Sequence, residues 1–230
     1  MHFRLTSALT VVLVITSAVR AQRVPDHVRP VPPAGITVPE NDRKNLSAGV
    51  EELGRQIEDL RKTLAKKPAL LELLPDVQIF HNAVRYALAY DEFFKADEIA
   101  KAKVLLKEGM DRATALGEGK APWAHASGLI VRGYVSKVDG SVQPYGLVVP
   151  PSFEQDPARP RRLDVWYHGR GETLSETNFL TERQRSFGEF SPPDTIVLHP
   201  YGRFCNGNRF AGEVDTFEAL DSVRARYAID

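Results

Sequence analysis

Between Gly117 and Leu129 the spacing of apolar side chains changes from three-and-four to two, and that change limits what the chain can fold into. Before it, Val50, Leu53, Ile57, Leu60 and Leu64 form one apolar stripe on a helix from about Asn45. Pro68 and Pro75 punctuate the next stretch, and Asp76 reads as the N-cap of a helix carrying Val77, Phe80, Val84 and Leu88. A third helix is expected from about Asp97, with Ile99, Ala102, Leu105, Met110, Ala113 and Leu116 inward and Gly117 as its stop. The last two could pair as a tetratricopeptide-like hairpin. No second copy follows at a fixed period, so residues 45–121 read as a helical cap or docking domain, with a protein as its partner, and not as a repeat array.

After Ala121-Pro122-Trp123 the pattern is that of strands. Leu129, Val131, Gly133 and Val135 alternate, Asp139-Gly140 predicts a two-residue hairpin turn, and the return strand runs from Val142 to Val149. Leu163 to His168 and Thr195 to His199 read as two more strands. Ser175 to about Phe187 between them makes a helical crossover, which lets the two strands lie parallel. Asp215-Thr216-Phe217-Glu218 reads as a capping box, with Phe217, Leu220, Val223, Arg224 and Tyr227 on the inner face of the helix it opens. The predicted fold class is therefore α/β: helices first, then a sheet that starts antiparallel and becomes parallel, over residues 122–230.

Composition narrows the partners. Lysine plus arginine and aspartate plus glutamate total 30 each, which argues against a nucleic-acid binder or a polybasic membrane binder. Residues 1–21 read as an export signal, with Arg4 in the n-region, an apolar run from Leu5 to about Val19, and Val19-Arg20-Ala21 at the cut. Cleavage would remove Arg4 and Arg20 and no acid, leaving 28 − 30 = −2, in a secreted or periplasmic protein with no membrane attachment. The lone Cys205 forms no disulfide within the chain, so stability must come from packing. Residues 22–44, with Pro25, Pro30, Pro32, Pro33 and Pro39, read as an extended tether.

His168-Gly169-Arg170-Gly171-Glu172, directly after a strand, is the most informative stretch. Glycines in a tight loop let main-chain N–H groups face a ligand, and strand ends of open α/β sheets are where ligands bind. His168 and His199 sit at strand ends near Glu172 and Asp215, but no H-x-H or H-E-x-x-H spacing supports a metal, and no cofactor is indicated. Tyr201, Arg203 and Arg209, in the glycine- and asparagine-rich loop from Pro200 to Gly212, are candidate substrate contacts, with Glu213 a candidate partner for one of the arginines. Cys205 in the same loop is read as a small packing residue, not a nucleophile.

In this order of elements, Leu129 to Asp230 resembles the first half of an α/β-hydrolase catalytic domain, close to prolyl oligopeptidase-like serine peptidases and the related secreted esterases. The resemblance implies that the H-G-R-G loop supplies an oxyanion-hole N–H from Arg170, with Gly169 and Gly171 shaping the turn. It also implies that the closing Tyr227-Ala228-Ile229-Asp230 precedes a nucleophile strand and its G-x-S-x-G elbow. No G-x-S-x-G occurs here, and Ser175, Ser186, Ser191 and Ser222 lack elbow glycines. The expectation is a serine hydrolase, peptidase or carboxylesterase, acting on a peptide or ester, whose triad follows Asp230 and whose first 230 residues alone are inactive. The alternative expectation is a non-catalytic exported module that binds protein through its helical hairpin.

Overall fold

A computed structural model describes residues 31–230; the segment read as an export signal, and the part of the expected tether up to residue 30, lie outside the described residues. The helices α1 (Glu40–Thr63), α2 (Pro68–Leu71), α3 (Pro75–Ala89) and α4 (Asp97–Gly117) come first. They are followed by strands β1 (Gly128–Val135) and β2 (Val142–Val149) and a short α5 (Ser152–Gln155). Then come β3 (Leu163–Val165), α6 (Glu176–Arg183), β4 (Ile196–Pro200) and α7 (Ala211–Arg224). Among the described residues no helix is long and apolar enough to cross a membrane.

The described strands form one mixed sheet in the order β1-β2-β4-β3, with β2 antiparallel to β1 and β4, and β3 parallel to β4. Both faces are covered, which is why β1 and β2 are buried almost throughout and do not alternate cleanly. Val131 and Val142 join Phe80, Leu105, Leu116, Phe179 and Leu180 in a core shared with the helices. Ile130, Tyr134, Leu147 and Leu198 pack on the other face with Ala219, Val223 and Tyr227. The packing is thus continuous across residue 121, where the periodicity changes.

Several local expectations are corrected. α1 begins at Glu40, so the tether does not reach residue 44; Ile36 N–H already donates to Phe93 O at 2.7 Å and Val38 is buried. The acidic first turn (Glu40, Asp42) and basic last turn (Arg61, Lys62) of α1 suit its macrodipole. Gly117 lies within α4, and the left-handed residue after the helix is Gly119, φ 77°. The last hairpin pair is Val135–Val142, so a six-residue loop, 136–141, replaces the two-residue turn. Ser136 N–H donates to Ser141 O across it, and the Asp139 carboxylate accepts from Ser141 N–H. β3 stops at Val165, with only Trp166 N–H to Leu198 O continuing its pairing.

Two predicted caps are also revised. α7 starts four residues before Asp215, which lies a turn inside the helix, and Glu218 accepts from Ser136 Oγ and Lys137 N–H at 2.7 and 2.8 Å. Phe217 faces solvent at 61% exposure, leaving Asp215, Ala219, Val223 and Tyr227 inward. Pro75 takes the first position of α3, where its missing N–H costs nothing, and Asp76 behind it is completely buried. Its carboxylate accepts from Arg132 Nη2 (2.8 Å), Trp123 Nε1 (3.0 Å) and Gly133 N–H (2.9 Å). Arg112 donates to Asp76 O and Val131 O, with its guanidinium over the rings of Phe80 and Trp123. These bonds occupy the outward groups of Val131 and Gly133 on the edge strand β1, which blunts it against further pairing. Glycine is required at 133, because a Cβ there would lie 2.5 Å from Pro75 O.

Candidate functional site

The H-G-R-G loop leaves the end of β3 and lies beside the chain emerging from β4. His168 ties the two together: its Nε2 is 2.9 Å from Tyr201 O and its Nδ1 2.8 Å from Gly169 O. Both partners are carbonyl oxygens, so the ring N–H is the donor and the carbonyl the acceptor in either contact. The ring also tilts against Phe179 of α6 at 6.0 Å. His168 therefore positions the loop.

The facing loop runs from Tyr201 to Phe210 and holds Gly202, Arg203, Phe204, Gly207, Asn208 and Phe210 at φ between 53° and 66°. Left-handed backbone is costly for bulky residues and persists only where the surroundings enforce it. The enforcing groups are visible. Arg203 donates from Nε to Asp215 Oδ2 at 2.7 Å, from Nη1 to Asp139 Oδ2 at 2.6 Å, and from Nη2 to Ser136 Oγ at 2.9 Å. It joins the hairpin loop to α7 and is fully engaged, so it does not contact substrate; its helix partner is Asp215, not Glu213. The hydrogen bond from Arg203, reinforced by those from Ser141, holds the Asp139 carboxyl well below the usual range. Burial raises the Asp215 carboxyl, against the pull of the same arginine. Phe204 stacks on Phe94 at 6.5 Å, fastening the loop to the helices.

Between the two loops lies a cavity of about 540 Å³, bordered by His168, Gly169 and Arg170 on one side and Asn206, Gly207, Arg209 and Phe210 on the other. Arg170 N–H has no hydrogen-bond partner among the described residues. A Cβ at Gly169 would meet nothing within 4 Å, so the loop is open above it, whereas one at Gly171 would strike Leu174 Cβ at 2.7 Å. Gly207, at φ 57°, brings its backbone against Arg170, where a Cβ would stand 3.4 Å from the Arg170 Cβ.

Of the three expected substrate contacts, only Arg209 lines this cavity. Tyr201 is buried behind the loop, its hydroxyl donating to Leu174 O at 3.2 Å and its ring 5.0 Å from Phe179. His199 is buried on the α6 side, where its Nδ1 accepts from Arg183 Nη1 at 2.9 Å. Desolvation, with Arg183 beside it, pushes its pKa down to about 4, so it is neutral and structural. Nothing is described of the Cys205 side chain. Among the described residues no group of three or more His, Cys, Asp or Glu side chains is gathered as a metal site would need.

Sequence reasoning missed two features. Phe210, at the cavity's lip, is 83% exposed. Glu176, in the first turn of α6, is buried with Oε2 unpartnered, and burial, with Glu92 nearby, pushes its carboxyl up to about 8. Neither carries a local signal, because both depend on which distant segments pack around them. Set against protein-family models, curated proteins and solved structures, the chain has no match in any of the three.

Proposed function

We propose that this chain forms the oxyanion side of an exported serine hydrolase, a peptidase or carboxylesterase of the prolyl oligopeptidase-like α/β-hydrolase kind, acting on a peptide or ester bond. The observation that carries the proposal is the Arg170 N–H, unpartnered among the described residues, in a Gly-bounded loop that follows β3 and borders a cavity. A donor held there stabilises the developing oxyanion of acyl transfer, an effect worth roughly 3–4 kcal/mol for one donor. Topology lends support. A first hairpin, one antiparallel strand β2, and β4 inserted between β2 and β3 agree with the start of such a sheet. So does the path after α7: Arg161 N–H donates to Ala228 O and Asp230 N–H to Arg161 O, a parallel bridge along the outer edge of β3. A further parallel strand continuing from there would bring its C-terminal end, and a nucleophile elbow on it, to the same side as Arg170.

The test is to read the open reading frame past Asp230, express the polypeptide through any G-x-S-x-G found there, and treat it with a fluorophosphonate probe. Labelling at the elbow serine supports the proposal. Labelling of a serine within residues 1–230, or a stop codon directly after Asp230 in verified DNA, overturns it.

A further inference from the structure

We infer that the cavity beside the H-G-R-G loop selects substrates bearing a negatively charged substituent on an apolar body; this deepens the hydrolase proposal and rests on it for the word substrate. Two guanidinium-bearing residues, Arg170 and Arg209, line the cavity from opposite loops, and no acidic residue lines it. Both are exposed and neither has an ion-pair partner among the described residues. Of the nearby acids, Asp139 and Asp215 are bound by Arg203, and Glu172 in the same loop and Glu213 in the first turn of α7 both stand outside the lining. The cavity's lining is therefore net positive, and guanidinium forks match the planar oxygens of a carboxylate or the oxygens of a phosphate.

The apolar half of the ligand is indicated by Phe210. Its ring is 83% exposed, on a backbone at φ 54° and ψ −121° that a phenylalanine adopts only when held there. The hold is identifiable: Glu213 N–H donates to Phe210 O as α7 begins, and Gly212 N–H to Arg209 O. An exposed aromatic fixed at the lip of a cationic cavity is a wall for the apolar part of an anionic ligand.

Arg170 has two separable roles. Its main-chain N–H is the proposed oxyanion donor and survives any substitution other than proline; its side chain supplies charge to the cavity. The experiment uses the 230-residue chain and titrates it calorimetrically with 3-phenylpropionate, phenyl phosphate and the neutral 3-phenylpropionamide. Either anion is expected to bind about tenfold or more tighter than the amide, and Arg209→Gln and Arg170→Gln are each expected to remove most of that preference. The acid and phosphate arms show which anion is favoured. Equal binding of anions and amide, binding of none of them, or a preference that survives both substitutions would overturn the inference. Both positions are exposed, so circular dichroism of each variant should match the parent. Serine labelling of the extended polypeptide without anion preference would leave the hydrolase standing and remove the subsite. Anion preference without labelling would do the reverse, leaving an anion site and removing its assignment as a substrate pocket.

Discussion

The junction of α3 with β1 and the loop face above β3 and β4 both gather arginines and carboxylates, yet they are built on opposite plans. At the junction, Asp76 and Arg132 are 0% and 1% exposed, and each oxygen of the carboxylate has donors. On the loop face, arginines line open space, the Arg170 N–H has no partner among the described residues, and several residues sit in left-handed conformations. A buried charge demands that every bond be made before folding is complete; a binding face must leave bonds to be made later. The Arg203 network stands between the two, half-buried and saturated, and it holds the open loop in place.

The contrast is broken most severely at Asp76. Asp76→Ala leaves Arg132 buried without its counter-ion and is expected to cost ~3–5 kcal/mol in urea unfolding. Replacing both partners, Asp76→Leu with Arg132→Met, should recover much of that loss, because the cost lies in stranding a charge and not in lacking an ion pair. A double variant as unstable as Asp76→Ala would show that the bonds to Trp123 and Gly133, and not the stranded guanidinium, dominate.

Glu176 and His199 sharpen the comparison through pH. Glu176 rises from the ordinary 4.5 to about 8 in the folded chain, so the folded state holds a proton that the unfolded state has released. Its contribution is present below pH 4.5 and is lost as pH rises towards 8. His199 falls from 6.5 to about 4, so its contribution is present above pH 6.5 and is lost as pH falls towards 4. Glu176→Gln should therefore stabilise the protein at pH 7–8 relative to pH 4.5, on the order of 3 kcal/mol. A pH–stability profile that runs parallel for variant and parent would place the proton elsewhere. Arg203→Ala comes next, at about 1–2 kcal/mol for charge-assisted bonds made near the surface, with a measurable loss of 3-phenylpropionate binding as the loop relaxes.

The helices were legible because their stripes are periodic: Leu53, Ile57 and Leu60 are all buried as expected. The mixed sheet, antiparallel first and then parallel, with the H-G-R-G loop after β3, was also legible from the pattern, whereas the spatial order β1-β2-β4-β3 was not. What failed was anything whose partner lies far along the chain. Asp76 and Asp215 have the residue type and spacing of caps, and tertiary ion pairs with Arg132 and Arg203 claimed them instead. Tyr201 and Arg203 sit in a polar loop, as Arg209 does, and the sequence offers no way to tell which of them points inward.

The smallest expected stability effect falls at Gly169, where the comparison is most direct. The resemblance assigned both loop glycines the task of shaping the turn, but the fold asks this only of Gly171, whose missing Cβ makes room for Leu174. Gly169 has no positive φ and no atom within 4 Å of where a Cβ would stand. Gly169→Ala should then leave stability within ~0.5 kcal/mol of the parent, or raise it slightly by restricting the unfolded chain. A methyl group there would project into the space through which a ligand reaches Arg170 N–H, so binding of 3-phenylpropionate should weaken while the unfolding midpoint holds. Gly171→Ala should lower that midpoint. If Gly169→Ala lowers the midpoint as much as Gly171→Ala, the glycine at 169 serves the turn after all; if both stability and binding are unchanged, the ligand approaches from elsewhere.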